Sequence, residues 1–158
     1  MEKDEEQMLY IWDIEKIIKE TLIELKLNHI KVEFNNKLTA PMSYNVSTKT
    51  IKFNYIQING YNAKINFKVK ETDENFVKII LYHELGYYLE YRRNPRVLKT
   101  LLYGEEEEKE QLLVEIEENS WEYGRTLVPQ HLLKAYDQVR ELDKLLLKEN
   151  AAVSIQRK

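Results

Sequence analysis

The sequence predicts an α+β fold in which a small, mostly antiparallel sheet packs against several helices. Apolar residues recur at helical spacing near both ends of the chain, while period-two alternation is confined to residues 30–70. Asparagine, glycine and proline separate these tracts. A length of 158 residues with no repeat or linker tract predicts a single domain over residues 1–150, with 151–158 as a fraying tail.

Residues 5–27 predict an amphipathic helix: Ile11, Ile14, Ile18, Leu22 and Leu25 fall on one stripe with charges between them, and Asn28 is a natural stop. "IKVEF" follows as a strand with Ile30, Val32 and Phe34 on one face, and "NNKLTAP" breaks it. "SYNVSTKTIKFNYIQI" is rich in β-branched and aromatic residues, with Ile51, Phe53 and Tyr55 alternating. Asn59-Gly60 is a hairpin turn signal, and Ile65, Phe67 and Val69 alternate after it. Residues 50–70 therefore predict a β-hairpin, with an irregular loop after Phe53 as the alternative.

"ETDENFVKIILYHELGYYLEYRRNP" predicts a helix with both ends marked. Thr72 or Asp73 can accept from the free N–H groups at its start, and Pro95 ends it. Gly86 lies inside it at a cost of about 1 kcal/mol against alanine, so close backbone approach is expected there. The next helix runs from the acidic turn Glu105–Glu108 toward Pro129, with Leu112, Leu113, Ile116, Ser120 and Tyr123 as its buried stripe. A last helix begins at or near Pro129 and covers "PQHLLKAYDQVRELDKLLLKE".

Composition removes several classes of function. With 43% hydrophobic and 32% charged residues the chain reads as an ordinary soluble domain, and no stretch is long enough to span a membrane. The acidic start MEKDEEQ has no signal-peptide pattern, which makes a cytoplasmic location the expectation. The lack of cysteine removes disulfides, thiol nucleophiles and thiolate metal sites. A net charge of -3, with basic residues scattered apart from Arg92, Arg93 and Arg96, argues against a nucleic-acid partner.

Residues 82–91, "YHELGYYLEY", carry the chemistry. On a helix, positions i and i+4 share a face, so two histidines there can grip zinc while a glutamate at i+1 takes a proton from its bound water. His83 fills the first ligand position and Glu84 the base position, but Tyr87 stands where the second histidine belongs. Its phenol can act as a tyrosinate ligand, its ring can fill the space of histidine and metal, or His131 or His29 can replace the missing ligand. The filler reading is favoured because tyrosine is a poorer zinc ligand than imidazole. For His83 the plain alternative is a core histidine bonded to backbone. For Glu84 and Glu117 it is a solvated face.

"ENSWEYGRTLVP", with Glu117, Ser120, Tyr123, Gly124, Leu127 and Pro129, resembles the glutamate helix of the minimal gluzincins and the ImmA/IrrE-like metallopeptidases. "SYNVSTKTIKFN" is similar to the edge strand and following strand of that group, and the likeness covers roughly residues 30–129. It implies a zincin-like domain with Glu117 as third zinc ligand and Ser120 packed against the motif helix. It also implies an extended peptide or protein substrate lying along Ser43, Tyr44, Asn45 and Val46 by strand addition. If zinc is held, the expected activity is peptide-bond hydrolysis with Glu84 as base. If it is not, the same groove is a binding or regulatory module. The departure at Tyr87 falls on a direct ligand, which leaves the fold expectation intact and puts metal binding and catalysis in question.

Overall fold

The structure is a computed structural model that describes the backbone of residues 8–157 and the side chains of residues 8–145. The coarse α+β class holds. Helix α1 (Ile11–Glu24) leads into β1 (Lys31–Phe34), β2 (Met42–Asn45) and β3 (Thr50–Phe53). Five helices follow: α2 (Tyr55–Ile65), α3 (Asp73–Arg93), α4 (Arg96–Tyr103), α5 (Glu106–Arg125) and, after a short 3-10 turn, α6 (Leu133–Arg157). No helix among the described residues is long and apolar enough to cross a membrane.

The helix expected over residues 5–27 begins later, at Ile11, and residues 5–7 lie outside the described residues. The Tyr10 backbone N–H donates to Asp13 at its start (3.0 Å). Its end comes before Asn28, because Lys26 turns left-handed (φ 61°). There the Leu27 N–H donates to the Leu22 carbonyl (2.8 Å) and the Lys26 N–H to Ile23 (3.0 Å), which closes the helix. Ile14, Ile18 and Leu22 are buried as the spacing predicts.

The sheet has the order β1-β3-β2, with β1 parallel and β2 antiparallel to β3. It is thus a mixed sheet, which corrects the mostly antiparallel expectation. The expected hairpin over residues 50–70 is also corrected, since the chain turns helical after Phe53. Asn54 caps α2 by accepting from the Ile56 N–H (3.1 Å), and its amide donates to the Leu38 carbonyl (2.9 Å). Ile58, Asn62 and Ile65 are buried at helical spacing, whereas Phe67, inward in a hairpin, is 82% exposed. Asn59 makes no turn: its side chain bonds both the N–H (3.2 Å) and the carbonyl (2.8 Å) of Leu9, and Gly60 has no positive φ. Without a second hairpin strand, the far side of β3 is free for β1, and β2 remains an edge.

α3 matches its expected bounds, with Thr72 accepting from the Asn75 N–H (3.1 Å) and Asn94 ending it before Pro95. It is the central element. One side packs on α1 and the sheet through Val77, Leu81 and Leu85. Its other side packs against α2, α5 and α6 through Phe76, Ile79 and Tyr82, among Ile65, Trp121, Leu132 and Tyr136. α4 is an unexpected helix without buried residues. On α5, Leu113 is 54% exposed, and Trp121 is buried in its stead. Tyr123 is half-buried under the Arg93 guanidinium, 4.9 Å from its ring. Pro129 precedes the 3-10 turn Gln130–Leu132, and α6 runs to Arg157, into the expected tail, whose last residue, Lys158, lies outside the described residues.

Candidate functional site

Two missing side chains bring α3 and α5 together. A Cβ on Gly86 would collide with the Ser120 carbonyl, and one on Gly124 with the Tyr82 carbonyl. The helix backbones therefore touch at both glycines, and the polar residues beside them are forced into contact. This is the reason for a glycine inside α3 despite its helical cost.

The contact brings His83, Tyr87 and Glu117 together. Nε2 of His83 lies 3.2 Å from Oε2 of Glu117. The Tyr87 hydroxyl donates to Oε1 of the same carboxylate. The Trp121 indole N–H donates to Oε2 (3.1 Å), one helical turn along α5. The Ser120 hydroxyl donates to the Glu117 backbone carbonyl (2.8 Å) and lies 3.3 Å from Nδ1 of His83. The His83 ring stacks on Trp121 with centroids 3.9 Å apart and planes 14° apart. A second tie follows nearby, where the amides of Asn94 and Asn119 donate to the buried Glu90 carboxylate (both 3.1 Å). His83 thus sits in a polar cluster and is no backbone-bonded core histidine.

Glu117 and Glu84 have opposite surroundings. Burial acts to raise the Glu117 pKa, but hydrogen bonds from His83, Tyr87 and Trp121 outweigh it and hold the carboxyl below its ordinary range. Glu84 is 8% exposed, so it occupies no solvated face. Desolvation pushes its carboxyl well above the usual range, reinforced by the nearby charges of Glu117 and Asp143 and opposed by a hydrogen bond from the Tyr44 backbone N–H. Burial also pushes the Tyr87 phenol up, with the carboxylates of Glu84 and Glu117 adding to the effect.

A cavity of about 390 Å³ opens between β2 and this cluster. Its lining includes Ser43 and Tyr44 from the expected substrate strand, but neither Asn45 nor Val46. The Asn45 side chain instead accepts from the Thr48 N–H in the β2–β3 turn (3.1 Å). Lining residues not expected from the sequence include Tyr61 on α2, Trp121 on α5 and Asp143 on α6. The Tyr61 hydroxyl donates to Asp143 (3.2 Å). Burial raises the pKa of both, pushing Asp143 above its usual range. Trp121 has a usable sequence signal, four residues after Glu117 on the same helix. Asp143 has none, because only the tertiary fold carries α6 to the cavity.

The residues present do not fit the zinc site that the motif implies. His83 and Glu117 are suitable donors, but the second-histidine position carries a phenol that donates to Glu117 and whose pKa burial pushes up. Neither spare histidine fills the gap. His29 is exposed and lies 3.4 Å from the Tyr88 hydroxyl, and His131 faces a separate depression with Lys68, Glu71 and Lys134. Among the described residues, no three histidine, aspartate or glutamate side chains are grouped so as to hold a metal ion. Compared with family models, with curated proteins and with solved structures, the chain matches none of them.

Proposed function

We propose that this chain is a zincin-like domain that binds an extended peptide or protein segment beside β2 without a metal. It acts as a pseudoprotease, in the cytoplasm, used for recognition or regulation. The observation that carries this reading is the Tyr87 hydroxyl donating into Glu117, at the place where a second zinc-binding histidine would stand. A tyrosinate ligand would have to lose the proton that burial and two neighbouring carboxylates hold on it. The phenol therefore serves as a plug that satisfies Glu117 from within the protein.

The binding side of the proposal rests on β2. It is an edge strand, paired with β3 as its one neighbouring strand, and it borders the cavity through Met42, Ser43 and Tyr44. An unpaired strand edge offers backbone donors and acceptors to a partner strand, and the adjoining cavity can select one of its side chains. Glu84 stands where a hydrolase keeps its base, but with no activated water to deprotonate it becomes part of the recognition surface.

The competing reading is the zinc-dependent peptidase of the motif, and it rests on His83, Glu84 and Glu117 alone. Hydrogen exchange separates the two. Extended peptides selected from a random display library should slow exchange of the backbone N–H groups of residues 42–46 and be recovered uncut. Cleavage of those peptides, abolished by Glu84→Gln, would favour the peptidase. Protection confined to regions remote from β2 would remove the strand-addition reading.

A further inference from the structure

The proposed recognition surface contains a buried carboxyl without a counter-ion. Glu84 is nine-tenths buried and lines the cavity. Its one hydrogen bond is from the Tyr44 backbone, and no described cation reaches it. Asp143, a second carboxyl, lines the same cavity from α6, and its partner is the neutral Tyr61 hydroxyl. Glu117 supplies a third, already matched to His83, Tyr87 and Trp121. Among the described residues, no lysine or arginine lines the cavity. Isolated burial of a carboxylate is expensive, so a site that keeps one facing empty volume is suited to a ligand that supplies the opposite charge.

The rest of the lining narrows the class of ligand. Pro41, Met42, Ile80 and Val139 give apolar wall, and the rings of Tyr87, Tyr91 and Trp121 stand among them. Apolar and aromatic walls around a carboxylate suit an alkyl chain ending in a cation, with the methylenes against the walls and the charge near ring faces and the carboxylate. An anionic side chain would meet three carboxyls there. A neutral amide would bring no charge to pair with the Glu84 carboxyl.

We propose that the cavity receives a lysine or arginine side chain of the peptide paired with β2, with Glu84 as the counter-ion and Asp143 as a second acceptor. This rests on the peptide-binding reading above for the source of the cation, but not for the cation site itself. Uptake is non-covalent. The ammonium or guanidinium enters charged and lies against the Glu84 carboxyl.

The test titrates the full chain, followed by amide NMR, with three probes. These are the capped pentapeptide acetyl-Val-Thr-Lys-Thr-Val-amide, its twin with glutamine in the central place, and n-butylammonium chloride. The lysine peptide should bind roughly tenfold tighter than the glutamine twin, the scale of one hydrogen bond to a buried charge. That advantage should vanish in Glu84→Gln, checked by its own melting curve to be folded. If n-butylammonium shifts the signals of residues 80–91 while neither peptide binds, the cation site stands and the β2 reading falls. If the twins bind equally and n-butylammonium shifts nothing, the cation inference is overturned and the β2 reading stands. Binding by none of the three probes overturns the inference as well.

Discussion

Two glutamates face the same cavity and differ in nearly every physical respect. Glu117, on α5, receives hydrogen bonds from His83, Tyr87 and Trp121, and its carboxyl is held below the ordinary range. Glu84, one residue from His83 on α3, receives a backbone N–H alone, and its carboxyl is pushed far up. In a zinc peptidase the first would be a ligand and the second a base. In this chain Glu117 serves as an internal structural tie, while Glu84 faces open volume. The contrast separates the fold-holding part of the site from the part free to meet a partner.

The largest effect should come from destroying the contact that creates both environments. Gly86→Ala drives a methyl into the Ser120 carbonyl and should destabilise the protein by about 3 kcal/mol or prevent folding, read by chemical denaturation. Glu117→Gln weakens a carboxylate serving three donors and should lower stability by about 2 kcal/mol at neutral pH. The Glu117 pKa is depressed in the fold, so its contribution is present above the ordinary carboxylate range and lost as pH falls through the lowered value. The penalty of Glu117→Gln should therefore shrink in acid. Tyr87→Phe removes one donor and should reduce stability by about 1 kcal/mol, with the Glu117 carboxyl titrating at higher pH by NMR.

Glu84→Gln should behave in the opposite way. A raised pKa favours the folded protein at low pH, and that contribution is lost as pH climbs through the raised value. Removing the ionisable group should leave stability near wild type in acid and raise it by roughly 1 kcal/mol at neutral pH, measured by melting curves across the pH range. Loss of stability at every pH would mean that Glu84 is a structural partner like Glu117.

The legible parts of the molecule are those whose signals are local. α3 has a side-chain cap at Thr72 and a proline stop, so both boundaries can be read directly. The pairing of His83 with Glu117 is legible through motif spacing on two helices, and Gly86 with Ser120 through the need for close approach. Residues 54–66 were misread because Asn59-Gly60 carries a strong local turn signal that long-range bonds override. Asn59 is committed to Leu9, fifty residues away, and Asn54 to Leu38. The parallel pairing of β1 with β3 depends on that same switch from strand to helix. Asp143 and Tyr61 reach the cavity through the packing of α6 and α2, which no spacing within either segment encodes.

The most direct test of the account is a zinc titration against a competing chromogenic chelator, for the wild-type chain and for Tyr87→His. The account predicts that the wild type takes up no stoichiometric zinc, and that Tyr87→His gains about one zinc per chain with His83 and Glu117 as its other ligands. Wild-type protein that holds about one zinc, lost on His83→Ala, would contradict the account and return Glu84 to the role of a catalytic base.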